Sequence, residues 1–198
     1  QPATIGALQF WVDLANKHKV MPRHRDYGEA SADFAAEQTA MMYNSTGSLS
    51  FVRSSVNFDF GVAPLPGNQV HAVPTGGGNF YIFKGLTPEK EQAAWTFVKW
   101  MTSPEKVAEW SIASGYVPVR LSAFDEPVLK EYYAEFPQAS VAGEQLPFAR
   151  REMALHSNQQ IRELVLTAIQ EALEQTLSVE DALRQAQRQA DRILRPFQ

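Results

Sequence analysis

The sequence predicts a helix-rich α/β chain. Three observations carry that expectation: apolar stripes of helical period, short apolar or aromatic runs of strand length, and proline or glycine at the joints between them. From Thr4 to Lys19, Ile5, Leu8, Trp11, Val12 and Ala15 recur at three- and four-residue spacings, which makes one stripe of an amphipathic helix ending in Lys17, His18 and Lys19. A polar connection, Met21 to Gly28, leads to a short helix over Ser31 to Glu37. Met41, Met42 and Tyr43 form a compact apolar run that reads as a buried strand. Asn44-Ser45-Thr46-Gly47-Ser48 follows it and precedes a helix from Leu49 to Ser54. Amides and hydroxyls in such a cluster point beyond the carboxyl end of the strand, where open α/β sheets take their ligands.

Phe58 to Pro66 starts as a strand and finishes in two prolines, which fix φ and cannot donate to a ladder, so the chain leaves in extended form. Gly76-Gly77-Gly78 then introduces an aromatic β run, Asn79 to Phe83. Two helices begin alike, Thr87-Pro88-Glu89-Lys90 and Ser103-Pro104-Glu105-Lys106. Each has a hydroxyl N-cap, proline at the first helical position and glutamate at the positive dipole end. The first runs to about Met101 and is expected to bury Ala94, Phe97, Val98 and Met101; the second ends at Gly115. Gly115 to Val119 is extended and pinned by Pro118. The remainder reads as helix: Glu126 to Phe136, about Ser140 to Leu155, Gln159 to Leu177, and Val179 to Leu194 capped by Ser178.

Composition removes several function classes. The 198 residues are 44% hydrophobic and 20% charged, enough for a packed core. Eighteen Lys and Arg against 22 Asp and Glu give −4, so there is no net positive field to hold nucleic acid. With no cysteine, disulfides, thiolate nucleophiles and zinc–cysteine or iron–sulfur sites are excluded. No apolar stretch approaches the roughly 20 residues that span a bilayer. The chain opens on Gln-Pro-Ala-Thr, without a basic n-region or an apolar h-region, and is expected to be a processed or truncated product.

Catalytic and metal chemistry find no support. His18, His24, His71 and His156 include no i, i+4 pair, Asp13, Asp26, Asp33 and Asp59 make no calcium loop, and no Gly-x-Ser-x-Gly elbow occurs. Neither a metal, a cofactor nor a catalytic residue is expected. The three glycines admit a ligand close to the backbone, and a plain glycine turn explains them as well. Tyr116, after a helix-ending glycine, is placed either to face a cleft or to pack in the core. Arg162, near the amino end of an apolar helix, stands against the dipole preference, so it either solvates or meets an anion; for a phosphate its planar fork is the matching donor.

Gln38 to Met42, Ser45 to Leu49, Phe60 to Pro66, Gly76 to Gly78, the two capped helices with Ala93 to Met101, and Gly115 to Val119 together resemble the extracellular solute-binding proteins of ABC importers, in that family's order over nearly the whole chain. Within it the resemblance is to the members that take glycerol 3-phosphate. It implies the periplasmic-binding-protein type II fold, a two-lobed clamp, of which this chain is the C-terminal portion. Residues 1–62 and 121–198 would then be segments of the C-terminal lobe and 63–120 a segment of the N-terminal lobe. The residues matching the family's ligand contacts are Ser45, Gly77, Tyr116 and Arg162. The implied function is to bind glycerol 3-phosphate or a glycerophosphodiester, without catalysis, for delivery to the membrane permease of an ABC importer. The alternative is a sugar or oligosaccharide ligand, held by aromatic platforms such as Tyr81, Trp95, Trp100 and Trp110; for the tryptophans, core packing at helical spacing is the reading adopted. The implied location is periplasmic or extracellular, with a lipoprotein anchor in the full-length form as one option. The other implied partner is the amino-terminal half, which carries the family's remaining contacts.

Overall fold

The structure is a computed structural model that describes residues 1–23, 27–152 and 154–197. Its regular elements are α1 (Pro2–Val12), α2 (Tyr27–Ala35), α3 (Leu49–Ser55), β1 (Val73–Thr75), α4 (Pro88–Met101), α5 (Pro104–Ser114), α6 (Pro127–Glu135), α7 (Val141–Glu144), β2 (Ala149–Arg151), α8 (Asn158–Leu173) and α9 (Val179–Leu194). They fall into two compact units. One comprises 1–30 and 153–198, the other 31–152.

In the first unit α1 continues through a π-helical turn, Asp13–Lys17, and packs with α8 and α9. Leu8, Val12 and Ala15 meet Ala168, Ala172 and Leu173 of α8 and Val179 and Ala182 of α9. The small residues let the helices approach closely; Ala182 is wholly buried. The Asn16 side-chain amide donates to the Leu173 carbonyl at 2.9 Å, satisfying one of the carbonyls that α8 leaves open at its end. α9 starts at Val179 as expected, with the Ser178 hydroxyl accepting the Asp181 N–H at 3.1 Å. α8 stops at Leu173, four residues short of the expected Leu177: Gln175 takes a positive φ of 61° and turns the chain.

In the second unit α5 packs against α3 and α6, and Val52, Val107, Ala108, Ala123, Leu129 and Phe136 are buried, Leu129 being the largest fully buried side chain among the described residues. Phe34 meets Phe58 edge-on at 5.5 Å, and Phe60 meets Phe136 at 6.0 Å, so aromatic rings tie α2, the 58–60 segment and α6 together. Arg53 lies over the Phe136 ring at 4.4 Å. β1 and β2 form a parallel pair in the register Val73–Ala149, Pro74–Arg150 and Thr75–Arg151.

Both hydroxyl-capped helices occur with the expected starts: Thr87 accepts from Lys90 N–H and Ser103 from Lys106 N–H. The Glu89 carboxyl is held below its ordinary pKa, first by its backbone N–H and then by the Thr87 hydroxyl.

Several sequence expectations are corrected. Met41–Tyr43, Phe58–Pro66 and Asn79–Phe83 are not strands. A run of strand-forming residues becomes a strand only with a neighbour to pair with, and none of these pairs among the described residues. Met41 is 82% exposed rather than buried, and Phe58 and Phe60 pack through their rings instead. The expected helix over 140–155 is broken into α7, a 3-10 turn at Leu146–Phe148 and β2, because Pro147 cannot continue it. α4 buries none of its residues: Ala94, Val98 and Met101 are half-buried and Phe97 is 51% exposed. Trp95, Trp100 and Trp110 are likewise half exposed and not core residues.

Candidate functional site

Ser45 caps the 3-10 turn Thr46–Ser48 that leads into α3. Its backbone is extended, and its hydroxyl oxygen accepts the Gly47 N–H at 3.2 Å. Asn44 organises this turn. Its side-chain oxygen accepts the Ser45 N–H at 2.7 Å and the Ser48 hydroxyl at 3.2 Å, while its amide donates to the Ser31 hydroxyl at 2.9 Å. One short polar side chain thereby fixes the backbone at the mouth of a helix and ties it to α2.

Tyr116 arrives at the same turn from α5. That helix closes at Gly115 with φ 96° and ψ 0°, the left-handed conformation that glycine adopts without penalty. A Cβ at 115 would also fall 2.5 Å from the Thr46 carbonyl oxygen and 2.6 Å from Leu49 Cβ, so glycine is required sterically as well. The phenol of Tyr116 then lies on Gly47: a Cβ built there would be 2.3 Å from Cζ, 2.6 Å from Cε2 and 2.7 Å from Cε1. Tyr116 remains 43% exposed. The structure therefore brings Tyr116 against the turn that Ser45 caps.

Gly77 follows β1, exposed, with nothing within 4 Å of where a Cβ would point. Its neighbour Gly76 is approached by the Glu152 carboxylate, 2.9 Å from a built Cβ, and the Thr75 hydroxyl donates to the Arg150 carbonyl at 3.0 Å. The glycine run thus sits beside β2 and the acidic residue after it. Sequence reading missed this neighbourhood, because it assigned 140–155 to a helix; the Pro147 it contained was the available signal.

Arg162 belongs to the other unit. It lies exposed in the second turn of α8, next to the buried Ile161. Ser157, the residue before α8, makes no side-chain cap bond, and the first turn holds no acidic residue. The positive end of the helix dipole and the guanidinium therefore share one end of the helix, an electrostatic setting that suits an anion.

Among the described residues no group of three or more His, Cys, Asp or Glu is placed to hold a metal ion, and no helix is long and apolar enough to cross a membrane. His18, His71 and His156 are exposed, the last stacked on Phe197 at 4.2 Å. His24 and Asp26 lie outside the described residues.

The family model described as "Bacterial extracellular solute-binding protein" matches residues 1–138. The chain belongs to that family. A maltotriose-binding protein of Pyrococcus abyssi is 32% identical over 136 residues, covering 66% of this chain and 29% of that protein. The sn-glycerol-3-phosphate-binding periplasmic protein UgpB of Salmonella paratyphi A is 26% identical over 181 residues, covering 86% of this chain and 41% of that protein. Among solved structures, UgpB from Mycobacterium tuberculosis in complex with glycerophosphocholine superimposes with a TM-score of 0.84 at 31% identity, over 99% of this chain and 50% of that one. The fold is accordingly a helix-rich part of the type II periplasmic binding protein. The chain spans half or less of the length of these relatives.

Proposed function

We propose that this chain supplies part of the ligand site of an ABC importer's solute-binding subunit, and that the solute is glycerol 3-phosphate or a glycerophosphodiester. The observation that carries the reading is the packing of Tyr116 on the turn that Ser45 caps, which gathers two hydroxyl-bearing side chains at one helix mouth. In this reading Arg162 gives charge-assisted hydrogen bonds to the phosphate, while the Ser45 and Tyr116 hydroxyls and the Gly77 amide add neutral ones. The site binds and releases; it makes and breaks no covalent bond. The similarity to two UgpB proteins supports the phosphate-bearing solute.

Residues 1–62 and 121–198 would form segments of the C-terminal lobe and 63–120 a segment of the N-terminal lobe, completed by an amino-terminal half. The closed clamp would be what the membrane permease receives, in the periplasm or outside the cell. A sugar ligand is the second reading. It is favoured by the maltotriose-binding relative and by the rings of Tyr81, Trp95, Trp100 and Trp110, each half exposed or more, since aromatic faces stack on pyranose rings. Thermal-shift titration of the full gene product separates the two. Glycerol 3-phosphate raises the melting temperature and maltotriose leaves it unchanged if the first holds; the reverse pattern establishes the second.

A further inference from the structure

We propose that Gly47 is a positioning residue of this ligand site, setting where the Tyr116 hydroxyl stands. The proposal rests on the reading of Tyr116 as a ligand contact. The three atoms that a Cβ at 47 would strike are Cζ, Cε2 and Cε1, the hydroxyl end of the ring. Carbon atoms rest about 3.5–4.0 Å apart, so at 2.3 Å the phenol would have to retreat by more than about 1 Å. The ring, and not the backbone, must take up that movement. Gly115 is already pressed against Thr46 and Leu49, the Tyr116 N–H donates to the Ser114 hydroxyl at 3.2 Å, and Pro118 is buried two residues on. The displaced part is the end that carries the chemistry.

The Gly47 side is equally firm. Its N–H is held by the Ser45 hydroxyl, and that turn is fixed by Asn44. A methyl group there meets an aromatic ring on one side and a hydrogen-bonded backbone on the other. Glycine at 47 therefore holds the Ser45 and Tyr116 segments in register, and a shift of about 1 Å at a binding group is enough for a large loss of function. Sequence alone showed Gly47 only as one small residue among several.

The test is a double-mutant cycle in the full gene product, reading glycerol 3-phosphate and maltotriose affinity by calorimetry alongside the melting temperature. Gly47→Ala is expected to weaken binding of the preferred solute at least tenfold in the wild-type background and less than twofold when Tyr116 is already alanine. A cost that persists undiminished in the Tyr116→Ala background overturns the positioning role and leaves the ligand reading standing. A wild type that binds neither solute overturns the ligand reading, and the proposal with it. The contact has a readout independent of affinity and of the folding of Gly47 variants: in the wild type the Gly47 α-proton that lies along the Cβ direction is expected to be shifted upfield by the Tyr116 ring current. Tyr116→Phe keeps that shift and Tyr116→Ala abolishes it; Gly47 α-protons indifferent to Tyr116→Ala contradict the proposal.

Discussion

Residue by residue, the molecule uses absences as much as side chains. Gly47 and Gly115 each stand where a single methyl group would collide, and together they let α5 deliver Tyr116 onto the turn before α3. Asn44 does the complementary work through hydrogen bonds on both sides of its own backbone. Conventional core packing is seen at Leu129, which is fully buried on α6, the helix that packs on α5. Leu129→Ala removes that side chain without a replacement, and we expect it to cost about 2–5 kcal/mol of unfolding free energy by urea denaturation. A loss below about 1 kcal/mol would mean that this centre collapses around the gap and that the second unit does not depend on it.

For the elements, what was legible in the sequence depended on whether the signal was local. The starts of α4, α5 and α9 follow from a hydroxyl N-cap, in two cases with proline behind it, and the structure places all three where the caps indicate. The end of α5 at Gly115 is local in the same way. The runs at 41–43, 58–66 and 79–83 have strand-like composition, yet a strand is a property of two segments, and these find no pairing partner among the described residues. Of the candidate site, the Ser45 cluster and Tyr116 were visible, whereas Glu152 against Gly76 depends on the non-local β1–β2 pairing and was not. The cap of α9 gives a direct test. Ser178→Ala removes the acceptor for the Asp181 N–H and is expected to lower stability by about 1 kcal/mol in a thermal melt. An unchanged melt would show that α9 is fixed by its packing on α1 and α8 without help from the cap.

At the scale of the whole molecule, α4 and the segment before it present a large apolar surface. Phe80, Tyr81, Phe83, Trp95, Phe97 and Trp100 are each half exposed or more, and Phe80, Phe97 and Trp100 touch one another in sequence. Exposed aromatic patches of this kind mark surfaces that bind something. The isolated 198-residue chain is therefore expected to self-associate, with a sedimentation-derived mass above the 22.2 kDa of one copy at tens of micromolar. A single 22.2 kDa species with a cooperative melt would contradict that expectation.

The proposed role of Arg162 is to hold an anionic solute. Calorimetric titration of glycerol 3-phosphate into the full gene product, wild type and Arg162→Ala, measures this directly. We predict binding by the wild type and a loss of about 2–5 kcal/mol in the variant, since the phosphate would lose its charged partner. Unchanged glycerol 3-phosphate affinity on removing the guanidinium, or a wild type that takes maltotriose and ignores glycerol 3-phosphate, would contradict it.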